Sequence, residues 1–270
     1  MSKVSLAFLA ISLFARLLLR SDQSTGLQHD SLKPHRVLLL TAHPDDEAFF
    51  FGPTVTSLTS QAEIYSLCLS TGDADGEGKT RMEELSDSLE VLGVDQDKHW
   101  VLDIEGLKDN FTARWDAKLI ADTVRPYILE HHITTILTFD PVGVSSHPNH
   151  LSLFHGTSYL LGSLPSPPRA YALISVPLSI KYTGPLAPAL AKLDLNFSRA
   201  LAYFNMQPSL SAHPISVYVS GVRQWARALR ALSCHHSQLV WFRWLYMAFS
   251  RYMWVNEWYE IPAILSSSKV

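Results

Sequence analysis

The sequence predicts an α/β fold, a Rossmann-like three-layer sandwich with a mostly parallel sheet, plus an N-terminal hydrophobic helix. Three observations carry this. Short apolar runs alternate with stretches of helical spacing over about 140 residues. Each run is apolar at successive positions, as a strand buried on both faces is. Finally, an apolar stretch at the amino terminus is set off from the rest by a polar segment.

From Val4 to Leu19 the chain is apolar except for Ser5, Ser12 and Arg16, and as a helix it would reach about 24 Å at 1.5 Å per residue. The hydrocarbon core is about 30 Å thick, nearer 27 Å in the endoplasmic reticulum, and Arg16 can snorkel to the headgroups. Residues 1–20 therefore read as a single membrane anchor. A cleaved signal peptide is the competing reading, but LLLRSDQS has no small-x-small cleavage site. Lys3 alone precedes the run, whereas Arg16, Arg20, Lys33 and Arg36 lie at or beyond its end. The positive-inside rule then puts the body of the protein in the cytosol. Residues 21–34 are polar and end in a proline, a linker into a domain expected over 35–260.

Within that domain VLLLT (37–41), AEIYSLCLS (62–70), HWVLD (99–103), ITTILTF (133–139) and AYALISV (170–176) read as buried strands. Helical spacing fills Glu47–Ser60, Gly78–Leu92, Arg114–Glu130 and Asn149–Leu161. In the second of these Met82, Leu85, Leu89 and Leu92 recur at intervals of three and four. PSPPR (165–169) and GPLAPAL (184–190) read as connections, and ISVYVS (215–220) as a strand followed by two helices. The segment 239–260 carries Trp241, Trp244, Trp254 and Trp258 with Arg243 and Arg251. It is too charged for a second span and reads as a packed terminal helix or as an interfacial one, with aromatic rings at headgroup level.

Lysine plus arginine total 22 against 25 aspartate plus glutamate, a net charge of −3 that excludes a general nucleic-acid binder. Charged residues are 17% of the chain against about 25% usually, which suits membrane contact. Two cysteines, Cys68 and Cys234, cannot build a disulfide framework or a four-thiolate metal site, so any metal must be held by His, Asp or Glu.

Open parallel sheets form their sites outside the carboxyl ends of the strands. Ala42-His43-Pro44-Asp45-Asp46-Glu47 follows the first strand, and Asp140 with His147-Pro148-Asn149-His150 follows the fourth. A histidine and a carboxylate three apart at a strand-to-helix turn can face one point. A histidine from a second turn can close a three-ligand site that leaves a position open for water, the arrangement of a catalytic metal. Helix capping is the plainer reading of both clusters, and for Asp46 in particular an N-cap.

AHPDDE followed far downstream by HPNH resembles the signature of the LmbE-like zinc-dependent deacetylases, which remove acetyl from N-acetylglucosamine attached to another group. Residues 68–94, 138–150 and 236–253 are similar to its eukaryotic branch, the N-acetylglucosaminyl-phosphatidylinositol de-N-acetylases, and the likeness covers roughly residues 36–253. Gly72-Asp73-Ala74-Asp75 is more acidic than that loop is expected to be. The resemblance implies the second step of glycosylphosphatidylinositol (GPI) anchor synthesis, with a membrane glycolipid as substrate and one zinc ion as cofactor. It also implies a single-pass protein of the endoplasmic reticulum membrane whose catalytic domain faces the cytosol, the orientation that charge suggests independently. By resemblance and spacing His43, Asp46 and His150 hold the metal, although a His2Asp set also accepts ferrous iron. Asp45, beside a ligand, is then the candidate general base, and His147, if protonated, the candidate to stabilise the oxyanion or protonate the leaving amine. Glu47 would orient a histidine or sit as a first-turn acid. Arg81 would hold a substrate hydroxyl or phosphate, or be a solvated helix residue. Asn149 would cap the following helix.

Two rival readings remain: a soluble or secreted deacetylase of another N-acetylglucosaminyl conjugate, and an inactive membrane-anchored adaptor. The presence of all five proposed metal and catalytic residues argues against the adaptor. With the body in the cytosol, the sequons Asn110-Phe-Thr and Asn196-Phe-Ser stay unused. Endoglycosidase treatment of the expressed protein is expected to leave its electrophoretic mobility unchanged, and a shift would reverse the topology.

Overall fold

The computed structural model describes residues 12, 22–24, 36–203 and 216–263. Most of the expected anchor (1–20) and linker (21–34) lies outside the described residues, and among the described residues no helix is long and apolar enough to cross a membrane.

Eight strands form one sheet: β1 (Asp22–Ser24), β2 (Arg36–Thr41), β3 (Glu63–Cys68), β4 (His99–Val101), β5 (Thr135–Phe139), β6 (Arg169–Leu173), β7 (Ser216–Val219) and β8 (Val255–Glu260). Their order is β1-β7-β8-β6-β5-β2-β3-β4. All five strands from β6 to β4 are parallel, as the sequence predicts. Beyond β6 the pairings with β8, β7 and β1 are antiparallel. Every residue of β5, and all but the first of β2 and β3, is buried, which is why these runs are apolar throughout rather than alternating.

From β2 the chain moves outward to β3 and β4 and then returns to β5 on the other side of β2. The carboxyl ends of β2 and β5 therefore flank a topological switch point. The two histidine-bearing turns leave the sheet there.

Helical spacing over Glu47–Ser60 resolves into two helices, α1 (Asp46–Phe49) and α2 (Gly52–Leu58). Pro53 sits in the first turn of α2, where its missing N–H costs nothing, and it could not have continued a helix from α1. Helices α3 (Gly78–Leu92), α4 (Ala117–Glu130) and α6 (Pro148–Ser163) match expectation to within three residues, with the one-turn α5 (Gly143–Ser146) before α6. After β6 and the one-turn α7 (Leu178–Lys181), residues 184–190 are more than a connection, because α8 (Ala187–Tyr203) begins inside them. α9 (Val222–Leu232) packs with α2 and α3 as one layer, while α4 and α6 form the other.

The largest departure is residues 239–260. Helix α10 covers only Trp241–Phe249, and the chain then turns into β8, inserted between β6 and β7. Ser250 ends the helix by capping a single turn, its Oγ accepting from Tyr252 N at 3.2 Å. The run VNEWYE is rich in β-branched and aromatic residues, which suit a paired strand. Trp258 is fully buried, stacks on Phe51 with ring centroids 5.8 Å apart, and donates from Nε1 to Thr54 Oγ1 at 2.9 Å. Asn256 Oδ1 accepts from Thr54 N at 3.1 Å and its Nδ2 donates to Phe50 O at 2.8 Å, tying β8 to the start of α2. Trp258→Ala is expected to cost about 3–5 kcal/mol of stability, read as a lowered midpoint of chemical denaturation.

Candidate functional site

The first turn is held open by its own side chains. Asp46 Oδ2 accepts from Ala42 N at 3.0 Å and from His43 N at 2.9 Å, so Asp46 binds the turn behind it instead of capping α1. Its Oδ1 is left facing His150 Nε2 at 3.1 Å. Asp45, at the helix N-cap, has φ 109°, a left-handed conformation costly for a non-glycine residue and typical of functional sites. It is imposed from outside: Glu47 Oε2 accepts from Asp45 N at 3.0 Å, and Arg81 Nη2 donates to Pro44 O at 2.6 Å.

In the second turn Asp140 gathers the backbone, its Oδ1 accepting from Val142 N at 3.0 Å and Gly143 N at 2.8 Å. Gly143 has φ 65°, and a Cβ there would meet His150 Cβ at 2.8 Å. That close approach lets Gly143 O accept from His150 Nδ1 at 3.1 Å. The His150 ring lies flat on Phe139, with centroids 4.1 Å apart and planes at 3°. His147, not Asn149, caps α6: its Nδ1 accepts from Asn149 N at 3.3 Å.

These contacts fix the histidine tautomers. His150 donates from Nδ1, leaving Nε2 with its lone pair. His43 Nε2 lies 3.0 Å from Asn149 Oδ1 and 3.1 Å from Asp109 Oδ1, so its proton sits on that side and Nδ1 is left bare. The N–H points at the amide, and Asp109 Oδ1 remains a buried acceptor with no donor of its own. Two bare ring nitrogens, His43 Nδ1 and His150 Nε2, thus face each other at 3.3 Å, with Asp46 Oδ1 3.1 Å from the second. Two acceptors at that distance, beside a carboxylate, need a positive centre between them. A proton or a metal ion fits, and the donor set is that of a divalent cation. His43, His147 and His150 also offer ligand atoms within 4.8 Å of one another. Asp46 Oδ1 lies within contact of the pair, 3.1 Å from His150 Nε2, while His147 spends Nδ1 on its cap.

The electrostatics agree. Burial depresses the pKa of His43, but Asp109, 3.1 Å from its Nε2, and the charge of Asp46 outweigh it and raise it above the usual value. Burial opposes ionisation of Asp46, yet His150 and His43 hold its carboxyl well below the carboxylate range. Asp109 is lowered in the same way, with His43 outweighing burial. His147 is pushed down to about 4 by burial and by the positive charge of its histidine neighbours, so it is neutral at pH 7 and the condition of protonation attached to its role in the sequence is not met.

Asp45 Oδ2 sits 2.5 Å from Arg243 Nη1 and 3.4 Å from Arg81 Nη2. Arg81 is buried rather than solvated, and its Nη1 also donates to Gly72 O at 2.7 Å. The guanidinium passes so close to Gly72 that a Cβ there would meet Arg81 Cζ at 2.6 Å, which explains the glycine in that acidic loop. Asp73 is explained as well, since its Oδ1 accepts from Gly78 N at 2.7 Å at the start of α3. Nothing in the structure accounts for Asp75. Glu47 does orient a histidine, but His235 rather than a metal-facing one: His235 Nε2 lies 2.7 Å from Glu47 Oε1, which also accepts from Ser88 Oγ at 2.5 Å.

Sequence reasoning missed Arg243, Asp109 and the part played by Asn149. Arg243 was placed only as a charge among tryptophans. Asp109 lies in the loop after β4, another carboxyl end of a parallel strand, and that position was the available signal. All these groups line or back one cavity of about 730 Å³, whose wall also includes Phe111, Tyr182, Phe242, Leu245 and Phe249. The volume is that of a small-molecule site.

The profile of one protein family, PIG-L: GlcNAc-PI de-N-acetylase, matches residues 38–160. The N-acetylglucosaminyl-phosphatidylinositol de-N-acetylase of Bos taurus is 38% identical over 224 residues, 82% of this chain and 81% of that protein. The chain belongs to the PIG-L family. The Saccharomyces cerevisiae PIG-L enzyme of the same name is 28% identical, with 88% of this chain and 86% of that protein covered. Among solved structures, the deacetylase–teicoplanin complex superposes with a TM-score of 0.57 at 13% identity, covering 84% of this chain and 98% of that one. N,N'-diacetylchitobiose deacetylase from Pyrococcus horikoshii gives 0.53 at 17% identity, covering 100% and 97%. These two show that the PIG-L chain shares their fold.

Because His43 holds a proton to higher pH than a free imidazole, a cation must displace it. Zinc affinity of this PIG-L protein is therefore expected to rise as pH is raised through and beyond the ordinary imidazole range, with proton release on binding. Calorimetry in buffers of different ionisation enthalpy measures both, and a pH-independent affinity would exclude His43 as a ligand.

Proposed function

We propose that this PIG-L protein is a metal-dependent amide hydrolase that removes the acetyl group from N-acetylglucosaminyl-phosphatidylinositol, giving glucosaminyl-phosphatidylinositol in the second step of GPI-anchor synthesis. The observation that carries the reaction type is the convergence of His43 Nδ1, His150 Nε2 and Asp46 Oδ1 beside a carboxylate, Asp45, that is not one of them. The names of the bovine and yeast relatives support the substrate. The glycolipid places the work at a membrane, and the charge bias of the amino terminus favours the cytosolic face of the endoplasmic reticulum.

His43, Asp46 and His150 would hold the ion, and the family resemblance favours zinc. A divalent ion bound there supplies Lewis acidity, lowering the pKa of water and polarising the acetyl carbonyl. Asp45 takes the proton of the attacking water. The two guanidinium groups on its Oδ2, Arg243 and Arg81, hold the carboxylate in one orientation. His147 is neutral, with its Nδ1 accepting in the cap, so its Nε2–H donates a hydrogen bond to the developing oxyanion rather than a whole proton. That leaves the protonated Asp45 to hand its proton to the departing amine. Asp109 Oδ1, the buried acceptor without a donor, fits a sugar hydroxyl. Arg81 adds a fixed positive charge to the cavity wall.

The test is acetate release from the radiolabelled lipid by the full-length protein, with chelator and with zinc restored. Release should stop with chelator and return with zinc. Asp45→Asn should keep the metal and lose about a hundredfold to ten-thousandfold in turnover, whereas His43→Ala should lose both. Wild-type turnover by Asp45→Asn would remove it as the base, and no release from metal-loaded wild-type protein would point to another N-acetyl conjugate or to the adaptor.

A further inference from the structure

Fourteen of the twenty large apolar side chains that stand exposed among the described residues lie in two segments, 178–203 and 240–249. The segments touch: a Cβ on Gly184 would sit 3.0 Å from Ala248 O. Both reach the mouth of the cavity, Lys181 and Tyr182 from the first and Phe242, Leu245 and Phe249 from the second. Trp241 is 75% exposed and Trp244 53%. Neither 178–193 nor 239–253 contains an aspartate or glutamate, Asp194 being the one carboxylate in 178–203; Lys181, which donates to Val144 O, and Arg243, which meets Asp45, carry positive charge to the cavity side of this face.

Aromatic side chains on an apolar face, with cations and no carboxylates, are the chemistry of an element lying at the surface of an anionic bilayer. Position decides between a bilayer and a protein as the occupant. A protein seated on this face would stopper the cavity, because the same residues form its mouth. A bilayer would instead supply the cavity, since the substrate of the proposed reaction is one of its lipids.

We propose that α10 and residues 178–193 dock the protein on an anionic membrane surface, with Trp241 and Trp244 at headgroup level. The sugar headgroup then enters the cavity while the acyl chains stay in the bilayer. The choice of lipid, and of a bilayer rather than a protein as the occupant, rests on the function proposed above.

The test uses the full-length chain in phosphatidylcholine vesicles containing phosphatidylinositol. In a Cys234→Ser background, an environment-sensitive fluorophore is attached through Trp241→Cys, Trp244→Cys or, as control, Glu130→Cys at the end of α4, the opposite end of the sheet. Labels at 241 and 244 should be quenched by spin-labelled lipid and shielded from iodide, and the label at 130 the reverse. Iodide quenching at all three positions would overturn the proposal. So would shielding of 241 and 244 from both quenchers, which would show a second copy or another protein on this face. Neither readout depends on turnover, so either can fail while the proposed reaction stands. As a second arm, Trp241→Ser with Trp244→Ser should lower kcat/KM on the vesicle lipid about tenfold. Turnover of the water-soluble N-acetylglucosaminyl-inositol should be unchanged, and an equal loss on both substrates would overturn docking as the cause.

Discussion

Two imidazole nitrogens with bare lone pairs face each other at 3.3 Å inside the protein, next to a buried carboxylate. In a low dielectric this arrangement is unfavourable unless positive charge occupies the gap. Much of the surrounding structure maintains it. Asn149 and Asp109 keep the proton of His43 on the far nitrogen, Gly143 O keeps that of His150, and two backbone N–H groups turn Asp46 inward. The orienting groups come from three connections of the sheet, those after β2, β4 and β5, so the geometry of the pair follows from the switch point between β2 and β5 as much as from the histidines themselves.

A second layer of constraint concerns Asp45. Its left-handed backbone is unfavourable for an aspartate, and it is enforced by Glu47 two residues on and by Arg81 from α3. Glu47 holds the Asp45 N–H, and Glu47 is itself held by Ser88 of α3 and by His235, whose pKa is raised because the charge of Glu47 outweighs burial. Arg81 and Arg243 meet the side chain from α3 and α10. The carboxylate proposed to accept and return a proton is thereby kept apart from Asp46, which follows it directly in sequence.

The parallel half of the sheet was legible because strands buried on both faces are apolar at successive positions, and β2, β3 and β5 are of that kind. Position after a strand also marked His43, Asp46, His147 and His150 correctly as neighbours. Of the antiparallel half only β7 was legible, from the run ISVYVS at 215–220. β8 is shared by polar and aromatic residues whose partners, Thr54 and Phe50, lie some two hundred positions away, and no local period in 239–260 separates a helix end from such a strand. Arg243 was hidden for the same reason. Its local surroundings are tryptophan and phenylalanine, and only the fold brings it to Asp45. Gly72 is opaque in sequence too, because its reason is Arg81, nine residues on, lying across it.

The insertion of β8 between β6 and β7 bears on how the chain comes to be folded. β6 and β7 are both complete before the residues that join them are made, and each must wait with an unpaired edge, the kind of edge that invites pairing with other chains. During synthesis the nascent domain therefore cannot close its sheet until Glu260 has left the ribosome. A truncation before Val255 would release two sticky edges rather than a smaller enzyme, and would do so even though every metal-facing residue had already been translated.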